Sequence, residues 1–411
     1  MKDRIKKNFF WNTIGSTLNA MVSLFFMIAV TRINGSDKAG IFTFAFSTSC
    51  LLQVIGLYSG RTYQVTERNK NITDDDFIYN KLFCCLIMLI ASLLFVAFRG
   101  YDGYKISVIL TLVLYKLIEA FAECIYAIIQ KKDELYKVGI SLFLKGLIAT
   151  ILFVLVDLLT HNLILSIIAI ILTQLIILFF YDLKNVSEIN FTKLNFNKKN
   201  ILWIFKMGAC TFLVTLLTQY VINAPKYTID SYLTNSSQTI FGIIVMPATL
   251  VILCGQFLIH PFLNKLANYL KEKKFDLFNK TIIKLCFLIF LLGLFIIVVA
   301  YFIGIPFLEL VYGIPLQKYL YDLIIILFGA TFFGISFVIS NALIALRYTF
   351  AQVIIFIISS IFTFFASRFL IINYELLGAS LAYTFTMITL ALLFIIYYIY
   401  KIRKVFKNEK I

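Results

Sequence analysis

The chain is built from a succession of apolar runs, each about twenty residues long, separated by short stretches rich in charge, Asn, Gly or Pro. Wound as an α-helix, a run of that length matches the hydrocarbon thickness of a bilayer, and few soluble folds can bury so many of them. The runs cover 10–33, 39–59, 82–98, 106–129, 138–156 and 163–181, then 201–222, 239–261, 281–303, 320–346, 353–369 and 378–400. The pattern predicts an all-α integral membrane protein of about 12 transmembrane helices. Composition points the same way: 61% of the 411 residues are apolar and 14% charged, against about half and a quarter in soluble domains. A soluble enzyme, a DNA-binding module and a disordered tail are excluded. The net charge of +16 does not call for nucleic acid, because the basic residues cluster between the runs, where they act as a topology signal.

With the N-terminus in the cytoplasm, 27 of the 37 Lys and Arg residues fall in or beside the inner segments and 7 in or beside the outer ones. Lys116, Lys145 and Lys206 are left inside runs. That asymmetry predicts a multi-pass protein with both termini cytoplasmic. The first run follows Lys2, Arg4, Lys6 and Lys7 but continues without a small-residue cleavage site, so it is expected to remain as the first span. The seven cysteines sit among apolar residues with no metal-binding spacing and read as free thiols. Residues 68–76 and 265–274 read as charged turns between helices. No Walker loop, GxSxG or HExxH motif is present, so neither a catalytic site nor a metal site is expected.

A shift of 199 residues lays Ile41-Phe42 on Ile240-Phe241, and Ile78-Tyr79-Asn80-Lys81 on Leu277-Phe278-Asn279-Lys280. The two halves therefore read as copies of six spans each, 1–190 and 191–411. An even number of spans gives both copies the same orientation, hence two parallel pseudo-symmetric lobes with a cavity expected between them.

Ionisable side chains inside a span cost about 2.5–3.5 kcal/mol each and need a partner, a wet cavity or a function. Lys116, Glu119 and Glu123 are spaced i, i+3, i+7 and so share one helical face. Two readings fit them: a ladder that pairs internally, or carboxylates that face a cavity and respond to protons or cations. Lys145 has no acidic neighbour at i±3 or i±4 and is expected to point into the cavity. Lys206 is shallower, where snorkelling and substrate contact fit equally. Arg32, Arg61 and Arg368 lie at span ends; singly they serve as topology anchors, and together with the lysines they suit a substrate carrying phosphate. Asn12, Asn19, Gln219, Asn223, Gln256, His260 and Asn341 add uncharged polar groups within spans.

Several segments resemble the Wzx-type oligosaccharide flippases. They are Thr31-Arg32 through Ala39-Gly40-Ile41-Phe42; Gly60-Arg61-Thr62-Tyr63-Gln64-Val65-Thr66; Ile118-Glu119-Ala120 through Gln130-Lys131 to Gly139-Ile140-Ser141 and Lys145; and Asn223-Ala224-Pro225-Lys226-Tyr227 with Ile229-Asp230. These flippases form the polysaccharide transport branch of the multidrug/oligosaccharidyl-lipid/polysaccharide (MOP) exporter superfamily, which includes the MATE transporters. The resemblance implies a MATE-like fold and a polyprenyl-diphosphate-linked oligosaccharide as substrate, moved across the bacterial plasma membrane. It also implies a polysaccharide polymerase and assembly machinery as partners, besides the membrane lipids. On this basis Arg32, Arg61, Gln64, Lys145, Lys206, Asn223 and Asp230 are expected at the substrate. Lys116, Glu119 and Glu123 are expected to couple transport to a proton or sodium gradient, with no cofactor. Arg61→Ala and Lys145→Ala are each expected to abolish export at normal protein level. The alternatives are a drug/cation antiporter of the same superfamily, for which the buried cations are a poor match, and a glycan polymerase, for which the outer loops are short.

Overall fold

The computed structural model describes residues 2–58, 60–67, 69, 71–189, 194–259, 262–346 and 348–409. Helices dominate it: α1 (Lys2–Gly56), α2 (Arg61–Thr66), α3 (Asp74–Arg99), α4 (Gly103–Lys131), α5 (Leu135–Thr160), α6 (Leu163–Ile177), α7 (Lys198–Tyr232), α8 (Asn235–Ile259), α9 (Leu263–Lys271), α10 (Phe275–Val299), α11 (Ile305–Tyr312), α12 (Leu320–Ala345) and α13 (Thr349–Glu409). Nine helical stretches among the described residues are long and apolar enough to cross a membrane. Two of these, Asp3–Thr66 and Thr349–Arg403, each contain two helices merged across a kink. α4, with 29 residues, is also long enough and differs by carrying Lys116, Glu119 and Glu123, which brings the spans to the expected twelve.

The two kinks are conformationally distinct. Gly35 turns α1 at φ 81, a region that costs glycine little, whereas Glu375 turns α13 at φ 50, where an L-residue is strained. One element departs from the expected turn at 265–274: Leu263–Lys271 is the helix α9. Its Leu266 is buried while Lys265 and Lys271 are exposed, an amphipathic arrangement that loop composition alone conceals.

The chain forms two compact units, Met1–Leu216 and Leu217–Ile411, which divide within α7. The first unit holds α1 to α6 and the start of α7; the second holds the rest of α7 and α8 to α13. In the first unit α4 is central, with Ile109, Leu112, Val113, Ile125 and Ile129 fully buried. α3 instead exposes Leu82, Leu86, Ile90 and Leu93 at helical spacing, the stripe expected to face lipid. α3 starts with a capping box in which the Thr73 side chain accepts from the Asp76 amide and Asp76 accepts from the Thr73 amide. Asn200 also donates to Asp76 at 2.8 Å, so the Asp74–Asp76 run is helix and tethered rather than a solvated turn. In the second unit α12 is the most enclosed span; Thr384 donates to its Ile325 carbonyl at 2.6 Å and Ser380 to Asp322 at 2.8 Å.

α1 and α5 pack backbone to backbone. A Cβ on Gly15 would strike the Gly139 carbonyl, and one on Gly139 would strike the backbone of Trp11 and Asn12. Gly139→Val is therefore expected to lower stability by about 1–3 kcal/mol or more, as overpacking does. The readout is the melting temperature of detergent-solubilised protein; an unchanged value would mean that the two helices separate without cost.

Candidate functional site

A cavity of about 680 Å³ lies within the first unit. α4 supplies one wall through Lys116, Glu119, Glu123 and Tyr126, all on the face that the i, i+3, i+7 spacing selects. α2 contributes Arg61, Thr62 and Tyr63; α5 contributes Lys145, and α6 Gln174. The first half of α7 completes the lining with Thr211, Phe212 and Thr215. Tyr58 anchors that wall, donating to the Phe205 carbonyl at 2.5 Å and packing its ring 4.8 Å from that of Phe212. Lys81 donates to the carbonyls of Gly56 and Tyr58 at 2.9 and 3.3 Å, satisfying the C-terminal end of α1 beside the cavity.

Three cations meet three carboxylates here. Lys116 binds Glu119 at 2.8 Å, and Gln53 donates to the same Glu119 oxygen at 3.2 Å. The Lys116 ammonium also lies 4.8 Å from the ring centre of Phe46 and 5.0 Å from that of Tyr115. Lys145 donates to Asp182 at 2.6 Å and to the Tyr126 hydroxyl at 2.7 Å, and Tyr126 shares a further hydrogen bond of 2.9 Å with Ser141. Arg61 stands 3.9 Å from Glu123 and donates through Nε to Gln130 at 2.9 Å. Accessibility grades the pairs: side-chain exposures are 2%/0% for Lys145–Asp182, 11%/18% for Lys116–Glu119 and 23%/31% for Arg61–Glu123. The first is a core ion pair that also touches the cavity; the last is the one a solute reaches first.

Of the residues singled out in the sequence, Arg61, Lys116, Glu119, Glu123 and Lys145 come together at this cavity. Gln64 is buried on α2 and donates to Asp74 at 3.4 Å, outside the lining. Arg32 is exposed near the Gly35 kink, and Lys206 is exposed on α7; neither lines the cavity. Asn223 and Asp230 belong to the second unit, where Asn223 donates to the carbonyl and side-chain oxygen of Gln219 one turn earlier. Arg368 lies over the ring of Tyr232 at 5.8 Å, also in the second unit. Asn19 lines the cavity, whereas Asn341 bonds back to its own helix at Phe337. His260 and the side chain of Gln256 lie outside the described residues. Among the described residues, no group of three or more His, Cys, Asp or Glu is arranged to hold a metal ion.

Sequence reasoning missed Asp182, Gln130, Gln53 and Gln174. Asp182 falls just past the sixth apolar run, where it counts as loop. In the structure α6 continues into a π-helical turn, Leu178–Asp182, which carries this carboxylate inward to Lys145, 37 residues away in the chain. The three glutamines carry no charge and match a generic interhelical role, so only their positions distinguish them.

No protein-family model matches the chain. It is 25% identical over 406 residues to the capsular polysaccharide biosynthesis protein CapF of Staphylococcus aureus, covering 96% of this chain and 99% of that one. Among solved structures, the lipid II flippase MurJ in its inward closed conformation matches with a TM-score of 0.75 at 16% identity, over 96% of this chain and 89% of that one. An inward-facing multidrug resistance MATE transporter of the MOP superfamily matches at 0.72 and 12% identity, over 96% and 99%. The chain is a multi-pass, all-helical membrane protein with the fold shared by MurJ and the MATE transporters of the MOP superfamily, and is similar over nearly its whole length to a capsular polysaccharide biosynthesis protein, which accords with the Wzx-type resemblance of its motifs.

Proposed function

We propose that this protein translocates polyprenyl-diphosphate-linked oligosaccharide repeat units from the inner to the outer leaflet of the bacterial plasma membrane, for polysaccharide assembly. The observation that carries this reading is one cavity holding Arg61, Lys116 and Lys145 beside aromatic Tyr58 and Phe212 and the amides of Gln53 and Gln174. Cations suit a diphosphate, while aromatic faces and amides suit sugar rings and hydroxyls. The capsular role in the name of CapF and the lipid II flippase activity named for MurJ support a lipid-linked substrate. Both termini face the cytoplasm in this reading, and the translocated unit passes to a polymerase on the outer side.

The decisive experiment deletes the gene in its host and measures lipid-linked oligosaccharides on each face of the membrane by mass spectrometry. Complete single repeat units are expected to accumulate on the inner leaflet. Single units accumulating on the outer face would mark a polymerase, and an unchanged lipid pool would favour a drug antiporter, the reading that Glu119 and Glu123 would serve.

Transport is coupled to a proton or sodium gradient through Lys116, Glu119 and Glu123 in the same proposal. Glu119→Gln keeps the shape and the Gln53 contact while removing the charge that holds Lys116. Its transport rate is expected to lose most of its dependence on the imposed gradient, a larger effect than any change in substrate affinity. Wild-type behaviour across a gradient titration would remove Glu119 from the coupling.

A further inference from the structure

Each cation at the cavity already has a carboxylate, so an anionic substrate must compete for it. Lys145 is enclosed, with side-chain exposures of 2% for itself and 0% for Asp182, and cannot exchange partners without opening the core. Lys116 is held at 2.8 Å by Glu119 and flanked by two rings. Arg61 differs in both respects. Its nearest carboxylate oxygen, on Glu123, is 3.9 Å away, beyond hydrogen-bond reach, and its side chain is 23% exposed. Among the described residues its hydrogen bond runs from Nε to the neutral amide oxygen of Gln130 at 2.9 Å.

That bond has a geometric consequence. A guanidinium is planar, so fixing Nε from α4 while the Cα is held at the start of α2 fixes the plane of the whole group. The two terminal nitrogens then form an oriented fork whose hydrogens are not spent on Glu123. Such a fork suits two oxygens of one phosphoryl group, which a lysine ammonium cannot grip in the same way.

The geometry points to Gln130 as a positioning residue that orients the Arg61 guanidinium for bidentate capture of the substrate's diphosphate, with Glu123 as the counter-ion the diphosphate displaces. This rests on the proposed lipid-diphosphate substrate. Gln130 contributes no charge and does not line the cavity; it acts through Arg61. Glu123 keeps the empty site near neutral and opposes anion binding, so its removal strengthens binding.

The test measures binding of undecaprenyl diphosphate to the purified full-length protein in detergent. Variants are Arg61→Ala, Arg61→Lys, Gln130→Met, Glu123→Gln and the Arg61→Lys/Gln130→Met pair. Arg61→Lys and Gln130→Met are each expected to weaken binding by about tenfold, the scale of one charge-assisted bidentate contact. Combined, they are expected to cost little more than either alone, because an unoriented arginine and a lysine are equivalent there; a residue with only a packing role would give additive losses. Glu123→Gln is expected to bind several-fold more tightly than wild type, a gain that a misfolded variant does not give. Loss of binding in Arg61→Ala with wild-type affinity in Gln130→Met would overturn the role of Gln130 and leave the proposed function standing. Wild-type affinity in Arg61→Ala would overturn the inference at this cation, and failure of the wild-type protein to bind would overturn both.

Discussion

Arg61→Ala is expected to abolish export of the lipid-linked oligosaccharide while the protein stays in the membrane at its normal level. Among the described residues Arg61 makes one hydrogen bond and one long ion pair, and its side chain is 23% exposed, so little of the fold depends on it. Loss of a partly exposed ion pair as long as 3.9 Å costs about 1 kcal/mol, too little to unfold a protein with ordinary stability. The substrate contact is another matter: a charge-assisted, two-point contact is worth about 1.5–3 kcal/mol or more, so flux falls at least tenfold. Surface glycan measured by immunoblot, alongside protein level in isolated membranes, checks both halves. Normal glycan in the variant would end the case for a cationic phosphate site at α2.

Breaking the Lys145–Asp182 pair is expected to have the opposite character. Here the side chains are 2% and 0% exposed, the contact is 2.6 Å, and the second oxygen of Asp182 has no hydrogen-bond partner among the described residues. Removing either member leaves a buried charge with no counter-ion, a loss of about 3–5 kcal/mol. Lys145→Ala and Asp182→Ala should therefore both reduce the amount of folded protein, so the sequence-based expectation of normal level for Lys145→Ala is replaced. The double substitution Lys145→Met with Asp182→Leu removes both charges, and is expected to regain most of the stability. Melting temperature in detergent separates the outcomes. If Asp182→Ala melts like wild type, the pair carries no structural weight and Lys145 is a free cavity cation.

The contrast between these two cations shows where sequence reasoning ends. Both are basic residues near or within spans, and both stand in segments that resemble the flippase motifs. What separates them is the distance and burial of their counter-ions, Glu123 and Asp182, which lie 62 and 37 residues away. The α4 ladder was legible because Lys116, Glu119 and Glu123 are neighbours on one helix, and the internal Lys116–Glu119 contact forms as the i, i+3 spacing allows. The face on which Gln174, Phe212 and Thr215 join that ladder was not, since these residues reach it from α6 and α7.

Local physics explains what the sequence alone determined. Every span is a continuous apolar run whose length the bilayer sets, so the all-helical class and the twelve spans were written in the chain. The charged face of α4 belongs with them. Tertiary structure alone decided which cations are paired, how tightly and how openly. It made α9 a helix rather than a turn and wound the end of α6 into the π turn that delivers Asp182 to Lys145. Those outcomes depend on packing and electrostatic contacts between residues far apart in the chain, whose energies no local run of side chains encodes.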